Sequence, residues 1–325
     1  MKKNILIITD SDYWAYNNIA DNLIKNNSSN NLNIEKIHMR KNQKQVFEKI
    51  LSQKYDLIFP MAYQIFSNEN NIFKKIFKNK FFKFNNIDYS SCITGVHSSH
   101  SYDNYKSTPD NLLEPNKDLV QFLNNFKAIN TVGLRLKNLF EKKLDKKVFY
   151  TPNGVDESKF YPVQSPQNKK LTLGFVGHIK RDENLGYSKF IKQIAKENFL
   201  EIKTAIYGTE TYLTTDKLND YYNSLDALII TSRSEGFPLR ALEAMSCGTP
   251  VISTKVSGCE DLIIEGQNGF FIDYNLEAMI KKLKHLHNEN LINFEIRKKT
   301  RESIIKNWTW KKISNSWFTF FNQNL

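Results

Sequence analysis

The chain has 325 residues, with 46 Lys and Arg against 34 Asp and Glu for a formal net charge of +12; this length suits one large or two ordinary domains. A hydrophobic content of 40% excludes global disorder, and no apolar run approaches the roughly 18 residues that suggest a membrane-spanning helix. Cys92, Cys247 and Cys259 have no metal-ligand spacing, and an odd cysteine count argues against a disulfide framework, so a reducing cytoplasm is the expected compartment. Lys, Asn and Ile are all abundant, as AT-rich coding produces, so part of the charge is compositional. Basic chains bind nucleic acid, anionic lipid or phosphorylated substrates. Without a helix-turn-helix, zinc-finger or RNP-type pattern, nucleic acid is not an expected partner; nucleotide phosphates and a membrane surface are.

In chain order, MKKNILIITD sets Lys before an apolar stretch, as a signal peptide would, but the stretch is short and Asp10 and Asp12 cut it off. It is read as a first strand. Further strands are expected at Asn33–Met39, Asp56–Pro60, Ser91–Val96, Ala128–Val132 and Lys147–Tyr150, with helices at about 13–26, 42–53, 66–79, 112–126 and 134–143. Such alternation gives a doubly wound parallel sheet. Within it, residues 71–84 (NIFKKIFKNKFFKF) hold five Lys and five Phe. They read either as a core-packed helix with a solvated basic side or as a surface resting on anionic lipid. In Cys92–Tyr102 a strand runs into a loop with His97 and His100, and a loop histidine is commonly a plain polar surface residue. Asn153–Gly154 is turn chemistry, and the polar stretch to about Lys170 reads as a linker. Leu171–Gly177 opens a second sheet, and Ile202–Thr209 is a strand ending near Gly208.

The most informative stretch is Ser234–Ile252, SEGFPLRALEAMSCGTPVI, flanked by the apolar runs Leu225–Thr231 and Val251–Thr254. Pro238 suits a first helical position, Gly248 a position just past the helix end, and Pro250 stops continuation. The result is one βαβ unit. Glu235 falls in the loop at the strand's carboxyl end, the usual ligand crevice of an open α/β sheet. The amides of Gly236, Phe237 and Leu239, at the helix start, make a ready anion site. Glu243, about two turns into the helix, needs hydrogen-bond donors if it loses water, and sugar hydroxyls are suitable ones. Taken alone, two glutamates with seven residues between them are better explained as a dipole partner and a solvated side chain.

With its surroundings, Tyr222–Asp273 resembles the donor site of retaining GT-B glycosyltransferases of the glycosyl transferases group 1 (family 4-like) type. The matching features are Asp226, Glu235–Gly236–Phe237, Leu242–Glu243–Ala244–Met245, Gly248–Thr249–Pro250–Val251, Gly258 and Asn268–Gly269. The resemblance implies an α/β fold of two Rossmann-like doubly wound domains facing across a cleft. Residues 1–155 would bind the acceptor, 171–302 the nucleotide-sugar, and 303–325 would form a Trp-containing helix crossing back to the first domain. It further implies that Glu235 contacts donor-sugar hydroxyls, the amides after it the diphosphate, and Glu243 the ribose. His97 matches a strand-end histidine near the reacting sugar, with His100 a bystander, and the loop at Gly208 would lie beside the base.

One departure is visible. After the Gly equivalent to Gly177, relatives usually carry an Arg and then a Lys for the diphosphate; here His178 and Glu183–Asn184 stand there. Arg181 first and Lys180 second are the nearby substitutes, each readable also as a solvated loop charge. Asp10-Ser11-Asp12 looks like the metal-binding Asp-x-Asp of GT-A enzymes, but turn and cap chemistry explains it better, and no metal is assigned. The implied activity is transfer of a sugar from a nucleotide-diphosphate sugar, a co-substrate rather than a cofactor, to a glycan or lipid-linked acceptor. Surface polysaccharide or lipopolysaccharide synthesis at the inner face of the membrane would fit. An epimerase of the same architecture and a non-catalytic nucleotide-binding subunit are the alternatives.

Overall fold

The computed structural model describes residues 2–11, 15–29, 31–52, 54–66, 88–104, 106–163, 166 and 168–325. The helix expected at 66–79 and the basic-aromatic stretch 71–84 lie almost wholly outside the described residues, as does Asp12. The chain divides into two units. Met1–Asn104, Leu113–Asn153 and Trp310–Leu325 form the first, and Tyr105–Leu112 with Gly154–Thr309 the second.

In the first unit the apolar runs become parallel strands. β1 (Lys3–Thr9), β2 (Leu32–His38) and β3 (Leu57–Pro60) form one sheet in the order β2-β1-β3. β4 (Ile93–Val96), β5 (Ala128–Thr131) and β6 (Val148–Tyr150) form another in the order β4-β5-β6. A single parallel bridge from Ile58 to Cys92 ties the two together. The fully buried Ile5–Ile8 run explains why the segment reads as a continuous apolar strand. The helix expected at 112–126 forms only over Lys117–Leu123, because Pro115 lies just ahead of it and Asn116 caps it, its side chain accepting from the Leu119 amide.

The helix Trp310–Asn322 completes this unit. Phe59 of β3 lies in aromatic contact with Trp317, Phe320 and Phe321, at centroid distances of 6.1, 5.9 and 5.7 Å. Trp317 Nε1 donates to Pro152 O at 2.8 Å. The helix before it, Phe294–Asn307, stays in the second unit, so the chain returns to the first at Trp310 rather than at 303.

The second unit is one sheet of five parallel strands: β7 (Leu171–His178), β8 (Leu200–Tyr207), β9 (Ala227–Ile230), β10 (Val251–Ser253) and β11 (Gly269–Phe271). The order is β11-β10-β9-β7-β8. The chain runs outward from β7 to β8 and then returns to β9 on the other side of β7. Strand direction being common, the carboxyl ends of β7 and β9 flank the point where the order reverses, where open α/β sheets bind ligands. The expected linker is partly packed onto this unit. The Tyr161 and Val163 amides donate to the Asn219 and Asn223 side chains at 2.9 and 2.8 Å, and the Phe160 ring lies 6.0 Å from Tyr222. Among the described residues no helix is long and apolar enough to cross a membrane.

Candidate functional site: an arginine-clamped glutamate at the sheet switch point

The loop after β9 is held from the β7 side. Asn184 is buried, its side-chain Nδ2 donates to Ser234 O at 3.0 Å, and its backbone carbonyl accepts from the Arg233 amide at 2.8 Å. The Thr231 hydroxyl donates to Leu185 O at 2.7 Å. Asn184 therefore ties the two loops together, through its side chain and its backbone.

That brace presents Glu235. The carboxylate is 7% exposed, and its Oε1 accepts from Ser232 Oγ at 2.9 Å and from Arg240 Nη2 at 2.7 Å. Arg240 Nη2 also reaches Ser232 Oγ at 3.0 Å. On the other oxygen, Oε2, Arg181 Nη2 stands 3.8 Å away. Burial alone would raise the carboxyl, but Arg240 and Arg181 overcome it and hold the group at about 2. One carboxylate between two guanidiniums leaves an excess of one positive charge. Moreover, Arg181 Nε and Nη2 are buried with no hydrogen-bond partner among the described residues. Buried N–H groups of this kind call for an acceptor, so the arrangement is chemically suited to an anion.

The helix behind this loop is Leu239–Ser246. Pro238 is its extended N-cap (φ −72°, ψ 112°) and not its first helical residue, as the sequence pattern suggests. Gly236 and Phe237 consequently precede the cap, and Leu239 opens the first turn. For the same reason Glu243 is only the fifth helical residue, a little over one turn in. The other end follows expectation. Gly248 takes φ +73°, with the Gly248 and Thr249 amides donating to Met245 O and Ala244 O at 3.0 and 2.9 Å, a Schellman closure.

Glu243 is half-buried and accepts from the Tyr222 hydroxyl at 2.7 Å. Burial pushes its carboxyl up, against the lowering effects of Tyr222 and Arg240. Part of the donor supply expected from sugar hydroxyls thus comes from the protein itself. Gly258, at φ +79°, explains its own presence: a Cβ there would lie 2.6 Å from Phe237 Cα and 3.0 Å from Gly236 O. Gly258→Ala is expected to push this loop off its seat and to cost at least about 1 kcal/mol, read as a lower Tm with a weaker nucleotide-induced shift.

The remaining expected residues fall as follows. Gly177 is the last residue but one of β7, where a Cβ would meet Leu185 Cδ1 at 2.9 Å. Gly208, at φ +89°, lets the end of β8 approach Ile179, whose Cγ2 would be 2.9 Å from a Cβ. Lys180 is exposed, whereas Arg181 on the same short turn is half-buried against Glu235. His178 caps this turn, its Nδ1 accepting from the Lys180 amide at 3.1 Å. His97 belongs to the first unit. It follows β4, is 8% exposed, and burial pushes its imidazole down to about 3, so the ring is neutral at physiological pH. His100 begins a short helix, its Nε2 3.1 Å from Ser98 Oγ. Among the described residues no group of three or more His, Cys, Asp or Glu could hold a metal ion.

Arg240 is the residue that sequence reasoning missed. A signal was present: a cation on the second residue of a helix opposes the dipole, and a local rule broken without compensation marks a functional position.

Residues 159–308, which include every member of this cluster, match the family described as "Glycosyl transferases group 1". This segment belongs to that family. The chain is also similar to curated proteins. An uncharacterized glycosyltransferase, MJ1178, of Methanocaldococcus jannaschii is 30% identical over 131 residues, 39% of this chain and 34% of that protein. The capsular polysaccharide biosynthesis glycosyltransferase CapM of Staphylococcus aureus is 22% identical over 202 residues, 54% of this chain and 52% of that protein. The chain thus spans about half the length, or less, of these curated relatives. A likeness extending through both units comes from a solved structure, Anabaena HepE in complex with UDP and glucose: TM-score 0.65, 14% identity, 99% of this chain and 100% of that one. The fold is accordingly GT-B, with parallel, Rossmann-like α/β architecture in each unit.

Proposed function

We propose that the chain is a retaining glycosyltransferase that moves a sugar from a nucleoside-diphosphate sugar to an acceptor hydroxyl. The observation that carries this reading is Arg181, with buried, unpartnered guanidinium nitrogens beside Glu235 at the switch point of the second sheet. A diphosphate supplies the acceptor oxygens these N–H groups need, and the first turn of Leu239–Ser246 adds amides and the positive end of a dipole. As the glycosidic bond breaks, negative charge grows on the departing diphosphate, where pre-placed donors are worth most. The reading gives that task to Arg181, Arg240 and the helix amides rather than to a metal. Glu235 Oε2 and Glu243 hold hydroxyls of the sugar and ribose, and the acceptor hydroxyl attacks from the face that the diphosphate leaves, its proton passing to the departing diphosphate oxygen.

CapM, named for capsular polysaccharide synthesis, supports a surface-glycan acceptor, and HepE, crystallised with UDP and glucose, supports a uridine donor. The three free, buried cysteines support a reducing compartment such as the cytoplasm as the place of the proposed reaction. The test is a thermal-shift screen of nucleoside diphosphates and their sugars, followed by product analysis with and without acceptor. UDP or another nucleoside diphosphate should raise the Tm, and a glycosylated acceptor of retained anomeric configuration should form. Turnover of the donor sugar without acceptor would identify an epimerase instead; binding without any turnover would identify a nucleotide-binding subunit.

A further inference from the structure

His97 is gripped by four elements of the first unit. The Tyr16 ring of helix Ala15–Lys25 meets it edge-on at 5.2 Å, and the Trp317 ring of helix Trp310–Asn322 at 6.2 Å. Its own strand makes room for it: a Cβ on Gly95 would lie 2.3 Å from His97 Nε2 and 2.6 Å from Met61 O. The fourth contact is polar. Asn130 of β5, fully buried, sets its Nδ2 3.3 Å from His97 Nε2 and 2.6 Å from Thr151 Oγ1.

The amide orientation decides the chemistry. With Nδ2 toward both neighbours, its two N–H groups are used and only Oδ1 lacks a partner. Turned over, the amide would leave both N–H groups buried without an acceptor. Orphaned N–H groups are the rarer and costlier fault, which favours the first orientation. His97 Nε2 must then accept. A neutral imidazole that accepts on Nε2 carries its proton on Nδ1, and Nδ1 is buried with no protein partner among the described residues. Nothing in the sequence links these side chains, which are 33 positions apart.

We propose that Asn130 is a positioning residue that fixes His97 as the Nδ1–H tautomer. His97 then serves glycosyl transfer as a neutral hydrogen-bond donor through Nδ1, to an oxygen of the bound substrate, and not as a proton carrier. The second half of this statement rests on the glycosyltransferase reading; the tautomer does not. Burial of the ring, which disfavours the imidazolium, acts in the same direction.

The test is long-range ¹H–¹⁵N NMR of the full-length protein labelled on its six histidines, with His97 identified by its loss in His97→Gln. The expected wild-type pattern is a protonated Nδ1 and an unprotonated Nε2 at neutral pH. Asn130→Asp presents acceptors only, so the proton should move to Nε2. Asn130→Ala, which removes the donor without adding a charge, should give a mixture of both tautomers. A wild-type ring protonated on Nε2, or one whose tautomer neither variant moves, overturns the proposal. In transfer assays, Asn130→Asp should lower kcat about 100-fold with little change in donor KM. His97→Asn, whose amide can donate from near the Nδ1 position, should retain more turnover than His97→Gln. Equal and complete loss in these two would overturn the donor role. Failure of wild-type protein to transfer any sugar would sink the glycosyltransferase reading while leaving the NMR result standing.

Discussion

Glu235→Ala is expected to abolish sugar transfer and, in the same stroke, to destabilise the second unit by about 3–5 kcal/mol, because removing one member of a buried ion pair leaves the other uncompensated. Seen from the sequence, Glu235 is a loop carboxylate that could be removed with the fold intact. In the structure it is the buried counter-ion of the half-buried Arg240, 2.7 Å away, and it lies within 3.8 Å of Arg181. The two consequences can be separated. Glu235→Ala combined with Arg240→Leu removes both charges and should recover most of the lost stability in urea unfolding, yet no transfer. Full activity in Glu235→Ala would contradict the site altogether. A linked effect follows in acid. The folded carboxyl sits at about 2, below the ordinary carboxylate value of 4.5. Its contribution is therefore complete above that ordinary value and is lost as pH falls toward about 2. The double variant should be correspondingly less sensitive to acid in that range.

The second large effect concerns the neighbouring cation. Arg181→Ala should lower kcat by about 10²–10³, the range seen when one donor to a developing oxyanion is removed. Lys180→Ala should change it little. The two residues are adjacent and equally charged, so sequence alone could only rank them. Their surroundings differ: Lys180 is exposed, whereas Arg181 buries Nε and Nη2 next to Glu235. Arg181→Lys should not rescue, since a single ammonium cannot reproduce a fork of planar N–H donors. Steady-state kinetics with a fixed acceptor and varied nucleotide-sugar reads all three variants; equal losses at positions 180 and 181 would show that charge alone matters.

Most strands and the longer helices of the first unit were legible because their signals are local. Ala227–Ile230 is a short apolar run and Val251–Ser253 opens with one, and Gly248 with Pro250 marks a helix end by backbone chemistry that any context preserves. The carboxyl-end position of Glu235 followed from the βαβ reading for the same reason. What was not legible depends on contacts between distant positions. Tyr222 reaches Glu243 across 21 residues, Asn184 reaches Ser234 across 50, and Asn130 reaches His97 across 33. No periodicity encodes such pairings. Pro238 was misplaced by one residue because proline tolerates both the cap and the first helical position, and only the ψ of 112° separates them. The polar stretch after Gly154 looked like a tether because hydrophilic side chains dominate it, whereas its backbone amides are satisfied by Asn219 and Asn223.

The aromatic cluster around Phe59 has a bearing on how the protein is made. Trp317, Phe320 and Phe321, against which Phe59 lies, are encoded more than 250 positions after it. During translation the amino-terminal sheet must wait, with an apolar face uncovered, while the entire intervening unit is synthesised and given time to fold. A ribosome-bound or truncated product ending near residue 155 would therefore be a natural client for chaperones, and shortening the carboxyl-terminal helix should damage the half of the molecule that is born first.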